Sequence, residues 1–140
     1  MFSIGLTGGI GSGKTFIAEI LKANFDIKIF DSDHSAKEII QKNKLVKKSI
    51  ILNFGKKSYV DDEFNNKFIS KTVFNNPEKL VKLNNIVHPL VFKDFEDFKS
   101  KYSEKIIIVE SALLFESGMY LSNKINILVT SPVEIKLQRL

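Results

Sequence analysis

The stretch Gly5–Thr15 reads GLTGGIGSGKT and contains the spacing Gly8-x-x-x-x-Gly13-Lys14-Thr15, which is typical of a phosphate-binding loop. Glycines let the backbone turn with positive φ and bring its N–H groups close to an anion. The helix predicted after the loop adds the positive end of its dipole. The lysine would reach the outer phosphates of a nucleotide, and the threonine hydroxyl would bind Mg²⁺.

The residues on either side of this loop predict the strand and the helix that such a motif requires. Phe2–Leu6 is a short apolar run typical of a buried strand, and Phe16–Phe25 carries its apolar side chains on one helical face. A glycine-rich turn that binds nothing is the competing interpretation of the motif. The order strand, loop, helix favours a phosphate site.

Length and composition limit the class of protein. A chain of 140 residues predicts one domain, and a hydrophobic fraction of 44% is ample for a core. The absence of cysteine excludes disulfides, thiolate metal sites and a cysteine nucleophile. No apolar run approaches the length of a membrane span, and the first strand leaves no room for a signal peptide. We therefore expect a cytoplasmic protein with no membrane partner, and we favour a monomer.

The net charge of +5 comes almost entirely from scattered lysines. The densest cluster, Lys42–Lys48, has the spacing of a solvated helix face, so we expect no nucleic-acid partner. A positive field would still help to attract polyphosphate ligands. The one arginine is Arg139, whose planar guanidinium fork suits phosphate better than a lysine does.

The remaining chain predicts a mostly parallel sheet with helices on both faces, interrupted by a helical insert. Further strands are predicted at Ile27–Phe30, Ile106–Val109 and Lys124–Thr130. Helices are predicted over Ser35–Lys42, Lys44–Phe54, Lys67–Phe74, Pro77–Val87, Leu90–Tyr102 and from Pro132 to Leu140.

Three local features predict where these elements begin and end. Residues 56–65 are polar and predict a loop. His88-Pro89 predicts a break between two helices, because proline disfavours helical backbone at the residue before it. Ser131, followed by proline and then by Glu134, predicts a capping box at the start of the last helix.

Carboxylates follow two of the predicted strands, at the edge where an open α/β sheet binds ligands. Asp31 or Asp33 could hold Mg²⁺ through water, could accept a proton from a hydroxyl attacking a γ-phosphate, or could cap the next helix. Glu110 and Glu116 are candidates either for a polar role or for exposed surface charge. His88 could contact a phosphate or a ribose, or could be a hinge residue.

The ordered set of motifs resembles the dephospho-coenzyme A kinase family. The opening loop, the stretch Asp31-Ser32-Asp33-x-x-Ala36, the pair His88-Pro89, the segment Leu113–Glu116 and the end Gln138–Leu140 match that family's motifs in order. The resemblance implies a P-loop NTPase-type three-layer α/β/α fold over residues 1–140, with a helical acceptor-binding insert at about 35–104. It also implies that ATP phosphorylates the ribose 3′-hydroxyl of dephospho-coenzyme A with Mg²⁺ as cofactor.

The same resemblance implies roles for individual residues. It implies Asp33 as the catalytic base, with Lys14 and Arg139 as the catalytic cations. ATP would be bound by Gly8, Gly9, Gly11, Ser12, Gly13, Lys14, Thr15 and Phe16. The acceptor would be bound by Thr7, Asp33, Lys37, His88 and Glu116, and the metal by Thr15 and Asp31.

The chain departs from the family pattern at three positions and in length. Ser32 replaces an alanine, which we expect to be harmless; Lys37 replaces an arginine, which turns a forked contact into a point charge; and Ala112 replaces a proline. Because family members are longer, we expect a chain without the rest of the arginine-bearing lid, the last strand and the C-terminal helix. Such a chain would have an exposed sheet edge and weak or absent activity.

Three other functions remain open at this point. The chain could be a different small-molecule kinase with a P-loop, although the two aspartates and the His-Pro pair argue against one for nucleoside monophosphates. It could be a nucleotide-binding module without catalysis, but no Asn-Lys-x-Asp stretch supports guanine binding. It could also be an inactive chain that keeps the fold.

Overall fold

The computed structural model describes residues 2–140, which divide into two compact units. One unit comprises the chain up to Asp33 together with Asp94–Leu140, and the other comprises His34–Lys93. The elements in chain order are β1 Phe2–Thr7, α1 Lys14–Asn24, β2 Ile27–Asp31, α2 Ser32–Lys42, α3 Lys44–Phe54, β3 Tyr59–Val60, β4 Glu63–Phe64, α4 Asn66–Val73, α5 Pro77–Lys101, β5 Ile106–Glu110, β6 Ile125–Leu128 and α6 Val133–Gln138.

The first unit is built on a parallel four-stranded sheet in the order β2-β5-β1-β6. Glu110, the last residue of β5, is in register with Leu6 of β1 and with Asp31 of β2. Since the carboxyl ends of parallel strands meet at one edge of a sheet, the loop after β1 and the acids that end β2 and β5 share that edge. The predicted α/β class with a parallel sheet is confirmed.

Apolar side chains on both faces of the sheet explain its position inside the first unit. Ile107, Ile108 and Val109 are all buried, as expected for a central strand covered on both sides. Ala18 of α1 packs with Leu6 and neighbouring strand residues on one face. On the other face, the end of α5 packs its aromatic rings against Phe30 of β2.

Phe95 makes much of the contact between α5 and β2, so we expect its truncation to cause a large loss of stability. Its side chain is 0% exposed, and its ring centroid lies 5.2 Å from that of Phe30. Phe95→Ala should therefore lower the free energy of unfolding by about 3–5 kcal/mol. Phe74→Ala removes a ring that is 76% exposed and is the matched control. Urea denaturation should show a large fall for the first variant only, and equal midpoints would contradict this packing.

The second unit has its own core, to which α3 and α4 contribute Val46, Ile50, Phe54 and Ile69. The prediction of a loop over residues 56–65 is wrong, because a 3₁₀ turn at Lys56–Ser58 is followed by the β3–β4 hairpin. Asp61 and Asp62 form its turn with φ of 50° and 67°. Aspartate tolerates this left-handed backbone, but without a glycine the hairpin signal in the sequence is weak.

The predicted helix break at His88-Pro89 is also wrong. The helix α5 runs without interruption from Pro77 to Lys101 with Pro89 inside it. Proline removes one helical hydrogen bond and crowds the preceding turn. Val87 and Val91, on either side of it, are both buried, so packing stabilises the helix through the proline. Among residues 2–140, no helix is long and apolar enough to cross a membrane.

Candidate functional site

The loop between β1 and α1 has the backbone geometry of an anion-binding turn. The N–H of Ser12 donates to the carbonyl of Gly9 at 3.1 Å, and Gly13 caps α1 with a φ of 94°. The first N–H groups of a helix have no partner inside the helix and are free to bind an anion. Residues 9–16 line a cavity of about 250 Å³ together with Arg139.

Gly8 lies where the loop approaches the end of β6, so we expect a side chain at this position to destabilise the fold. A Cβ at Gly8 would lie 2.6 Å from the carbonyl oxygen of Val129, whereas a Cβ at Gly9 would meet nothing within 4 Å. A backbone carbonyl cannot yield cheaply, so Gly8→Ala should lower the free energy of unfolding by about 1–3 kcal/mol. Gly9→Ala is the control and should melt like the parent chain. Thermal melting that shows no difference between them would contradict this contact.

Glu110 joins the phosphate loop to the end of β5. The hydroxyl of Thr15 donates to Oε1 of Glu110 at 2.6 Å, and Nζ of Lys14 lies 3.6 Å from the same oxygen. The side chains of Lys14 and Glu110 are only 15% and 10% exposed, so the ion pair is largely shielded from water. Sequence reasoning named Glu110 only as a polar candidate. The feature of the sequence that pointed to a role for Glu110 was its position at the end of a predicted strand.

Arg139 lies beside the loop. Its guanidinium donates to the carbonyl of Gly11 at 2.8 Å, and the hydroxyl of Ser131 donates to the same carbonyl at 3.2 Å. The predicted capping box at Ser131 is therefore wrong: Pro132 is the N-cap of α6, and no side chain caps the helix. Ser131, just before α6, and Arg139, directly after it, instead hold the loop at Gly11 through their side chains.

Asp33 lies in the first turn of α2, which begins at Ser32 and therefore three residues earlier than predicted. Its carboxylate accepts a hydrogen bond of 3.3 Å from the backbone N–H of Ala112. The Ser32 hydroxyl donates to the carbonyl of Glu110 at 3.1 Å, so its replacement of alanine adds a buried contact. Asp31 ends β2 with an exposed side chain. The structure thus brings Asp33 to the strand exit that also carries Glu110.

The other predicted acceptor residues are distributed over both units. Thr7 is buried at the end of β1, and Glu116 is exposed in the turns after β5. Lys37 is exposed on α2 within the second unit. His88 lies on α5 in that unit, and burial lowers its pKa, which favours the neutral imidazole at pH 7. These positions do not test the roles of the four residues in acceptor binding, which stay predictions.

Several relatives of this chain are named dephospho-CoA kinase. The family model of CoaE, dephospho-CoA kinase, matches residues 2–140. Dephospho-CoA kinase of Fusobacterium nucleatum is 42% identical over 98% of this chain and 70% of that protein. The enzyme of the same name from Salinibacter ruber is 38% identical over 84% of this chain and 61% of that protein.

Two solved structures have the same fold. TT1252 from Thermus thermophilus superposes with a TM-score of 0.82 at 28% identity, covering 99% of this chain and 70% of that one. Dephospho-CoA kinase from Campylobacter jejuni superposes with a TM-score of 0.68 at 27% identity, covering 88% and 63%. The first unit contains the phosphate loop, the two aspartates, the strand exit at Glu110 and Arg139. They follow one another along the chain in the order of the family's motifs. The chain belongs to the dephospho-CoA kinase family.

Proposed function

We propose that the chain is an ATP-dependent kinase that phosphorylates the ribose 3′-hydroxyl of dephospho-coenzyme A to give coenzyme A. The observation that carries the proposal is the convergence of Lys14 and Thr15 on Glu110, while Asp33 is bound to Ala112 of the same strand exit. The exit of β5 thereby links the loop to a carboxylate that could receive a proton. An ATP-dependent reaction would place the protein in the cytoplasm, where ATP is supplied.

The donor side follows from the charge and the backbone of the loop. ATP would lay its β- and γ-phosphates against the N–H groups at the start of α1, with the Lys14 ammonium beside them. Arg139 lines the same cavity, so its guanidinium would add a second cation near the transferred group. Phosphoryl transfer depends mainly on positioning and on stabilising negative charge, and these groups supply both.

Mg²⁺ fits the oxygen atoms at the end of β5. The Thr15 hydroxyl and the Glu110 carboxylate are 2.6 Å apart, and both are the hard oxygen ligands that this ion prefers. Within residues 2–140 no cluster of three or more acidic, histidine or cysteine side chains forms a full cage. Mg²⁺ needs only one or two such groups when phosphates and water complete its shell. Asp31, in register with Glu110, would contribute through water, and the ion would supply charge neutralisation on the phosphates.

Asp33 would act on the acceptor. Its carboxylate would take the proton of the ribose 3′-hydroxyl as the oxygen bonds to the γ-phosphorus, and the bond to the β–γ bridging oxygen would break to release ADP. Lys37, His88 and Glu116 would hold the acceptor, and neutral His88 would contribute a hydrogen bond. Thr7, which ends β1 at the base of the loop, would also contact the acceptor.

A direct assay tests this function. The purified chain is incubated with Mg²⁺, ATP and dephospho-coenzyme A, and mass spectrometry follows coenzyme A and ADP. We expect both products, formed at a low rate, and we expect neither with EDTA or with an acceptor that lacks the 3′-hydroxyl. AMP and CMP serve as alternative acceptors. Transfer to these nucleotides in place of dephospho-coenzyme A would overturn the substrate, and bound ATP without any transfer would overturn the catalytic role.

A further inference from the structure

The short segment Glu110–Ala112, at the exit of β5, contacts both the phosphate loop and the start of α2. Through its side chain, Glu110 binds Thr15 and lies beside Lys14, as described above. Through its backbone, the same residue accepts a hydrogen bond from Ser32. Ala112 then donates its N–H to Asp33. Two residues of one strand exit, Glu110 and Ala112, therefore hold the donor side and the candidate base.

This segment is itself fixed to the sheet. The N–H of Ser111 donates to the carbonyl of Leu6 at 3.0 Å, which extends the pairing of β5 with β1 by one residue. Ser111 is only 3% exposed, and its hydroxyl accepts the N–H of Leu113 at 3.2 Å. The position of the Ala112 N–H is thus determined by the sheet rather than by a free loop.

From this geometry we propose that the backbone N–H of Ala112 is a positioning group for the Asp33 carboxylate. The inference rests on the proposed role of Asp33 as the base. The N–H binds Oδ2 at 3.3 Å and so fixes the rotation of the carboxylate. The other oxygen, Oδ1, is then left to receive the proton of the acceptor hydroxyl. A base held in one orientation reaches the reactive geometry more often than one that rotates freely.

The contact can be removed by a change that leaves Asp33 intact. Proline has no backbone N–H, so Ala112→Pro deletes the donor, whereas Ala112→Gly keeps it. The side chain of Ala112 is exposed, so loss of its methyl group disturbs no packing. A hydrogen bond to a charged group corresponds to a change of about tenfold or more in an equilibrium or rate.

Hydrogen exchange tests the contact without any need for activity. The exchange rate of the Ala112 amide is measured by NMR in the full chain and in Asp33→Ala, with Glu104→Ala as a control that removes an exposed carboxylate before β5. We expect the Ala112 amide to exchange about tenfold faster in Asp33→Ala and unchanged in the control. Equal rates in the parent chain and Asp33→Ala would overturn the inference. Because exchange does not depend on catalysis, this outcome is distinguishable from a failure of the proposed function.

Kinetics tests the positioning role. Ala112→Pro should lower kcat about tenfold and leave KM for ATP unchanged, whereas Ala112→Gly should retain the parent kcat. Circular dichroism and thermal melting check that both variants fold. A proline variant with the same kcat as the glycine variant would overturn the inference, as would an equal loss in both. If the proline variant does not fold, the comparison of exchange rates between the parent chain and Asp33→Ala still confirms or overturns the contact on which the inference depends.

Discussion

Replacing Lys14 by alanine should reduce phosphoryl transfer by on the order of 10²–10³-fold. Lys14 is the first residue of α1 and lines the loop cavity. Its ammonium lies 3.6 Å from Oε1 of Glu110, which holds the side chain at the cavity where the outer phosphates would bind. Because negative charge spreads over the transferred group in the transition state, the loss should affect kcat as well as ATP binding.

The helix itself provides the control for this prediction. Lys22→Ala removes the same charge from the last turn of α1, where the side chain is exposed. Its kcat/KM should stay within about twofold of the parent value, since surface charges contribute little. Initial rates with varied ATP and isothermal titration of ATP would separate catalysis from binding. A Lys14→Ala variant that turns over normally would refute the assignment of the loop as the catalytic phosphate site.

The loop and the sheet were predictable because their signals are local. A glycine pattern between an apolar run and an amphipathic stretch leaves few alternatives, and β1, the loop and α1 form as expected. The run Ile106–Val109 predicted a buried parallel strand for the same reason. Its neighbours β1 and β2, however, are far away in sequence, so only the structure shows the register of Glu110 with Asp31 and Leu6.

The errors arise where packing outweighs a local preference. Proline at position 89 disfavours a helix, yet buried Val87 and Val91 keep α5 continuous. Ser131 has the spacing of a cap, but its hydroxyl reaches the carbonyl of Gly11 across 120 residues of sequence. A local rule cannot anticipate such a long-range partner.

In the candidate site too, some residues were predictable from local sequence patterns and others only from long-range contacts. The phosphate loop was predicted from the spacing of its glycines. Glu110 was added to the candidate site only because the structure shows its carboxylate 2.6 Å from the Thr15 hydroxyl. From the sequence alone, Ser32 and Ala112 were interpreted as departures from a family motif. In the structure, each supplies a hydrogen bond between the start of α2 and the exit of β5, which neither alanine at 32 nor proline at 112 could donate.

Asp33→Asn should lower kcat by about 10²–10⁴-fold, the usual contribution of a general base, while ATP binding stays unchanged. Asparagine keeps the shape of the side chain and an oxygen that can still accept the N–H of Ala112, so the change removes the proposed base and little else. Asp33 is not among the residues that line the loop cavity, which is why nucleotide affinity should be spared. Transfer to dephospho-coenzyme A and titration with ATP measure the two effects separately.

Asp31→Asn is the comparison that decides which aspartate is the base. Asp31 ends β2 beside Glu110, so its proposed contribution is through water to the metal ion. That variant should raise the Mg²⁺ concentration needed for half-maximal rate and retain transfer at saturating Mg²⁺. If Asp31→Asn abolishes transfer at saturating Mg²⁺ and Asp33→Asn does not, the base is Asp31, and the contact between Asp33 and Ala112 serves only to join α2 to the sheet.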